Sequence, residues 1–251
     1  MRPIPMATKA VCIALALAAV SVRSMHSGSS PGPGSCSEQW VPMIDTPNPP
    51  PPPTEFEIIY DGAAGSPGSG SAGGSGGSSY SDDNNFHLGS LPFSFMFDGR
   101  EYRDDIYIGT NSYFTFGSGS DSYGPIGDTP DHPYPTLYLG GGDTVALEIR
   151  KASTFVTAVP AVMVMFRGRQ FSERDSPGVT IEWSVWFVAD NSIIIAVNRD
   201  SRSDGSLRLA CSNYEWSTAE GTWGAGTLAT IPSVIATDPG CCIDSESPPS
   251  F

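Results

Sequence analysis

Histidine is nearly missing from this chain: His26, His87 and His132 are the only three in 251 residues. None stands at ligand spacing from a cysteine, which argues against a zinc site. Imidazole-based acid–base catalysis has correspondingly little to draw on. Basic side chains are also few: 13 Lys and Arg against 27 Asp and Glu, for a formal net charge of −14. Phosphate binding needs clustered cations, so this balance argues against DNA or RNA as a partner and against docking on anionic lipid. It suits a soluble surface or a calcium-rich exterior. No Asn-x-Ser/Thr sequence occurs, since Asn111-Ser-Tyr and Asn191-Ser-Ile both miss, and N-glycosylation is not expected.

Long apolar runs are absent beyond the first two dozen residues. Arg2 and Lys9 precede the apolar stretch Ala10 to Val20, and small residues follow. That order is a secretory signal over residues 1–24, cleaved between about residues 21 and 25. The run is shorter than the roughly 20 apolar residues that span a bilayer. The mature chain is therefore expected to be secreted, with no membrane span, and more acidic still, because the signal removes Arg2, Lys9 and Arg23 but no acid.

Cysteine is sparse. Cys12 falls inside the signal, leaving Cys36, Cys211, Cys241 and Cys242 as disulfide candidates in an oxidising compartment. Four cysteines allow three pairings. A vicinal Cys241–Cys242 bond is strained, so each of the two is expected to reach Cys36 or Cys211, tying both chain ends to the core.

Glycine and proline are plentiful, 28 and 23 residues. Residues 25–84 read as a disordered linker or stalk rich in Pro, Gly and Ser. Pro49 to Pro53 is a polyproline rod, residues 55–60 a short strand, and Gly62 to Ser79 a flexible tract that cannot bury a core. Residues 85–240 then read as one all-β domain, and 241–251 as a cysteine-bearing tail. Strand candidates rich in Val, Ile, Phe and Trp are Leu137 to Leu139, Thr144 to Ile149, Thr154 to Val159, Val162 to Phe166, Val179 to Val188, Ser192 to Asn198 and Leu207 to Ser212. Asp190-Asn191 is a hairpin turn, and Arg167 to Gly178 and Arg199 to Gly205 are loops. Short strands at this density predict an antiparallel β-sandwich or jelly-roll.

The most specific stretch is residues 86 to 117. Phe93, Phe95 and Phe97 alternate with Ser94 and Met96, Asp98-Gly99 supplies a turn, and Ile106 and Ile108 alternate before Tyr113 to Phe116. Alternation puts the three phenylalanines on one buried face, with Phe114 or Phe116 contributing. Leu-Pro-Phe-x-Phe-x-Phe-Asp-Gly, followed by Tyr-x-x-x-Ile-Tyr-Ile-Gly-Thr-Asn-Ser-Tyr-Phe-Thr-Phe-Gly, resembles the opening of the nidogen-type extracellular (NIDO) domain. It also resembles β-sandwich modules in structural and fibre proteins of marine phages and large algal viruses, in which Ser-Asn-Ser-Tyr-x-x-Phe-Gly leads into a Ser/Gly/Tyr loop and a Pro-rich turn, as Ser118 to Pro135 does here. Either resemblance implies an extracellular or virion-surface structural role.

Motifs for turnover are weak. Gly70-Ser-Ala-Gly-Gly and Gly117-Ser-Gly-Ser lack the strand-to-helix setting of a nucleophile elbow. Glu148 and Glu182 lie on strand candidates, but nothing singles them out as a glycosidase pair. Acid-rich loops in a secreted β-protein are candidate calcium sites. They comprise Asp82-Asp83-Asn84-Asn85, Asp104-Asp105, Asp128 with Asp131, and Asp200 with Asp204. Asp200-Ser-Arg-Ser-Asp204-Gly205 has a faint calcium-loop spacing, with Arg202 where an oxygen ligand is wanted. Trp183 and Trp186 lie on opposite faces of one strand. One is expected in the core, and the other at an interface or on a sugar-binding platform. The sequence therefore points to a non-enzymatic structural or adhesion module that self-assembles or binds an extracellular protein or glycan. No cofactor is expected, and calcium in an acidic loop is the one candidate ligand. Carbohydrate binding is the alternative, and a secreted hydrolase stands behind it.

Overall fold

The computed structural model describes residues 49–62, 81–121, 134–140, 143–202, 207–210, 216–218, 225–231 and 233. The expected signal over residues 1–24, the Gly/Ser tract, the four cysteines Cys36, Cys211, Cys241 and Cys242, and Asp128, Asp131 and Asp204 lie outside them. Fourteen strands follow in order: β1 (Glu57–Asp61), β2 (Asn85–His87), β3 (Phe95–Phe97), β4 (Arg100–Tyr102), β5 (Ile106–Gly109), β6 (Tyr113–Phe116), β7 (Thr136–Leu139), β8 (Thr144–Val156), β9 (Val159–Gln170), β10 (Ile181–Val188), β11 (Ile193–Asp200), β12 (Leu207–Ala210), β13 (Trp216–Thr218) and β14 (Leu228–Ile231). A 3-10 turn over Phe171–Glu173 separates β9 from β10.

The strands form two six-stranded antiparallel sheets and a small ribbon. The first sheet runs β1-β8-β9-β10-β11-β14, the second β13-β12-β7-β6-β5-β2, and β3 pairs with β4. The sheets pack face to face, the sandwich that alternating strands with one apolar face require.

Aromatic rings fill the space between them. Phe114 of β6 meets Trp183 and Phe187 of β10 edge-on at 5.6 and 5.1 Å. Phe97 stacks on Phe116 at 4.1 Å, and Phe166 stacks on Trp183 at 4.8 Å. Such pairs contribute about 0.5–1.5 kcal/mol each beyond area burial. Phe95 and Phe97 are fully buried as their alternation requires, whereas Phe93 is only half-buried against the core edge. Phe93 precedes β3, so the strict alternation does not extend to it.

Turn chemistry fixes the register. Asp98 and Gly99 both adopt positive φ and close the β3–β4 ribbon, and Asn191 does so between β10 and β11. Each was legible as a turn residue tolerant of that conformation. The hairpin between β8 and β9 was not. Thr157 and Ala158 make its two-residue turn at φ +47° and +69°, where Asn or Gly is the usual occupant. As a result, the stretches Thr144 to Ile149 and Thr154 to Val159, expected as two strands, belong mainly to one strand of 13 residues. The polar break between them is explained by placement. Arg150 lies on the outer face of the first sheet, and Lys151 reaches Glu57 on β1 at 3.2 Å. The loop expected from Arg167 begins later, because β9 continues to Gln170.

Candidate functional site

Of the weak calcium pair of the sequence, Asp204 lies outside the described residues, and Asp200 is committed to another partner. Asp200 ends β11, and its carboxylate is gripped by Arg202: Nε donates to Oδ1 at 2.8 Å and Nη2 to Oδ2 at 2.6 Å. The backbone N–H of Arg202 adds a third bond at 2.9 Å, and Nη2 also donates to the Leu139 carbonyl. Both side chains are almost wholly inaccessible, 0% and 2%. A buried carboxylate answered bidentately by a guanidinium is a structural clamp, holding the end of β11 to β7. The cation slot is filled by arginine. Gly140, at φ +108°, makes room for it, since a Cβ there would lie 2.2 Å from Arg202 Nη2.

The tryptophan platform is also corrected. Trp183 and Trp186 do occupy opposite faces of β10, but both are buried, at 0% and 2% exposure. Trp183 stacks inside the sandwich and donates from Nε1 to Ser112 Oγ at 3.5 Å. Trp186 belongs to a second apolar cluster on the outer face of the first sheet, with Ala161, Met163, Val188, Ile194 and Ala196. Neither indole presents a ring face to a sugar.

Glu148 and Glu182 occupy a ladder of charges on the same outer face. Glu148 accepts from Arg150 Nε at 2.7 Å and from Arg167 Nη1 at 2.9 Å. Arg167 also faces Glu182 at 3.4 Å, and Asn198 donates to Glu182 at 3.3 Å. The pair is thus bridged by one guanidinium across neighbouring strands. That arrangement cross-links a sheet, whereas a glycosidase acid needs surroundings that favour its protonated form.

Two further features stand out. The first is acidic. Asp82 and Asp83 lie in the segment that crosses from the first sheet to the second: Ser81 bridges Ala146 of β8, and Asn85 opens β2 beside β5. Asp143 immediately precedes β8. One carboxylate oxygen from each of the three lies within 4.8 Å of the others. Asn111 positions this corner, donating to Asp83 Oδ1 at 3.0 Å and accepting from the Thr144 N–H at 2.8 Å. Asp82 Oδ1 and Asp143 Oδ1 are inaccessible to solvent and have no hydrogen-bond partner. Burial, then the charges of Asp83 and Asp143, pushes the Asp82 carboxyl up to about 6 from its ordinary 3.8. Burial and Asp83 raise Asp143 as well. The Asp83 backbone N–H opposes the Asp82 shift, and Arg174 is close enough to oppose both, while its guanidinium donates to the Phe171 carbonyl at 3.2 Å.

The second feature is the end of the β8–β9 hairpin. β1 accompanies β8 only to Lys151. From Ser153 to Val156 the outer backbone edge of β8 has no strand partner among the described residues. Phe155 is 65% exposed on this overhang, and Ile58 of β1 is 55% exposed. Both are large apolar side chains open to solvent. Sequence reasoning passed over both features. The acids meet only through the fold, and the overhang depends on where β1 stops.

No known protein family, curated protein or solved structure matches the chain. Among the described residues, no helix is long and apolar enough to cross a membrane.

Proposed function

We propose that this chain is a non-enzymatic extracellular or virion-surface structural module, secreted through its N-terminal signal and acting by assembly or by binding a protein partner. The observation that carries the reading is the overhanging hairpin. An unpaired strand edge offers alternating N–H and C=O groups to an incoming strand, and a neighbouring exposed aromatic gives that strand an anchor. Phe155 beside the edge of Ser153 to Val156 supplies both elements. The resemblance of residues 86 to 117 to NIDO and virion modules supports the same reading. So does the Pro/Gly/Ser-rich segment before the sandwich, whose composition sets reach between a module and its support.

The test is self-association and partner capture by the secreted chain, compared with Phe155→Asp and Ser153→Pro variants. Both positions are exposed, so thermal stability should hold. Concentration-dependent assembly seen by analytical ultracentrifugation, or capture of a surface partner, should fall at least tenfold. Unchanged association in both variants would remove the hairpin from the interface. Turnover of a peptide, ester or glycoside, lost on mutating a single acid, would overthrow the non-enzymatic reading.

A further inference from the structure

We infer that the outer face of the first sheet around Trp186 is a docking face for a polyproline-type segment, and that its occupant is this chain's own Pro50–Phe56, seated as a strap. The face is built in one row. Met163 of β9 and Ile194 of β11 lie directly opposite Trp186 of β10 in the two ladders, so all three point the same way. Val156 of β8 and Leu228 of β14 flank the row. These side chains are turned away from the interior of the sandwich. Even so, Trp186, Met163 and Ile194 are only 2%, 3% and 5% exposed.

Three observations point to the strap as their cover. The first is contact: Phe56 packs against this cluster. Phe56 immediately precedes β1, whose Glu57 pairs with Lys151 of β8, so the chain leaves the sheet edge there and turns over the outer face. The second is period. Pro50, Pro53 and Phe56 are half-buried, and the residues between them are exposed. Three residues per turn is the repeat of the polyproline II helix, so one edge of the segment lies against protein. The third is polar. Trp186 Nε1 is shut off from solvent and donates to nothing. A buried indole N–H wants an acceptor. A polyproline chain makes no hydrogen bonds of its own and keeps its carbonyls free, which suits it to aromatic-lined grooves.

Length and chemistry agree with this seat. At about 3.1 Å per residue, Pro50 to Phe56 reaches at most about 19 Å, the width of the face from β8 to β14 at about 4.8 Å per strand. Proline has no N–H for a ladder, so Pro50 to Pro53 cannot extend β1 along Ser153 to Val156. The strap thereby covers the apolar face and leaves the β8 edge open.

The inference goes beyond the proposed assembly role and can fail without it. The test is oxidative footprinting of the full secreted chain, read by mass spectrometry, with circular dichroism checking the fold of each variant. Phe56→Asp unseats the strap by placing a charge at its anchor. The pair Pro50→Gly and Pro53→Gly removes the polyproline preference without touching the sheet. In either, oxidation of Met163 and Trp186 should rise at least about fivefold, because oxidation follows exposure. Trp183, inside the sandwich, should stay protected. A synthetic peptide of residues 49–56, Pro-Pro-Pro-Pro-Pro-Thr-Glu-Phe, should restore protection to the proline variant. Adding Trp186→Phe should weaken that peptide about tenfold, the worth of one hydrogen bond. Unchanged footprints in both strap variants, or a peptide that does not protect, would overturn the strap. Protection of the wild type that is lost on dilution would assign the face to a second copy's strap, and would overturn the seat within one chain.

Discussion

Two acidic corners of this sandwich are answered in opposite ways. At the end of β11, Asp200 is buried and paired on both oxygens by Arg202, which also donates to the Leu139 carbonyl. At the head of β8, Asp82, Asp83 and Asp143 converge, and two of their oxygens are buried with no donor. Both corners belong to loops rich in Asp and Ser, and composition does not tell them apart. Local sequence does: Arg202 stands two residues from the acid it neutralises, while nothing basic lies within reach in the Ser81-Asp82-Asp83-Asn84-Asn85 run. A fold that carries its own counter-charge needs nothing from outside. A fold that assembles like charges with only a partial counter-charge, here Arg174, raises the proton affinity of its acids.

The largest expected effect comes from breaking the answered corner. Arg202→Met keeps the bulk but takes the guanidinium from the buried Asp200 carboxylate, and should cost about 3–5 kcal/mol in denaturant melts. Gly140→Ala attacks the same clamp from the backbone side, through a positive φ and a Cβ in the space of the guanidinium. It should cost about 1–3 kcal/mol in the same assay. The unanswered corner should respond with the opposite sign. In chelator at neutral pH, Asp82→Asn should stabilise by about 1 kcal/mol, allowing for screening at a partly exposed group. A baseline remote from both corners is the β8–β9 turn. Thr157→Asn with Ala158→Gly relieves two positive-φ positions and should gain about 0.5–1 kcal/mol, read as a small rise in Tm.

Much of the sandwich was legible because its signals are local. Phe95 and Phe97 alternate into the core, and Asp98-Gly99 and Asp190-Asn191 turn where their chemistry says they should. The long β8 was split in the reading because Arg150 and Lys151 interrupt the apolar pattern, and their partners Glu148 and Glu57 are fixed only by pairing. The Thr157-Ala158 turn carries no turn residue, so nothing marked it. β14, with only Leu228, Ala229 and Ile231 to bury, is too short to stand out before β11 is seen beside it. The candidate site was half legible: Asp82-Asp83 could be seen as an acidic loop, but Asp143 joins it only through the Ser81–Ala146 bridge. The tryptophans show the converse. Opposite faces followed from strand geometry, whereas the burial of Trp186 depends on a second apolar cluster that no residue pattern announced.

The contrast between the two corners is tested most directly by the pH dependence of one difference. Melting of the full chain and of Asp82→Asn is compared in chelator from about pH 4 to pH 8. The Asp82 carboxyl is raised from 3.8 to about 6 in the folded protein, by burial and then by Asp83 and Asp143, with the Asp83 backbone N–H and then Arg174 opposing. A proton on it therefore favours folding. Its stabilising influence is complete below about pH 3.8 and is lost as pH rises through about 6. The account predicts a variant more stable than the wild type near pH 7.5, with the gap closing as pH falls toward 4. A variant less stable than the wild type at pH 7.5, by an amount that does not change with pH, would show that Asp82 already has its answer inside the protein.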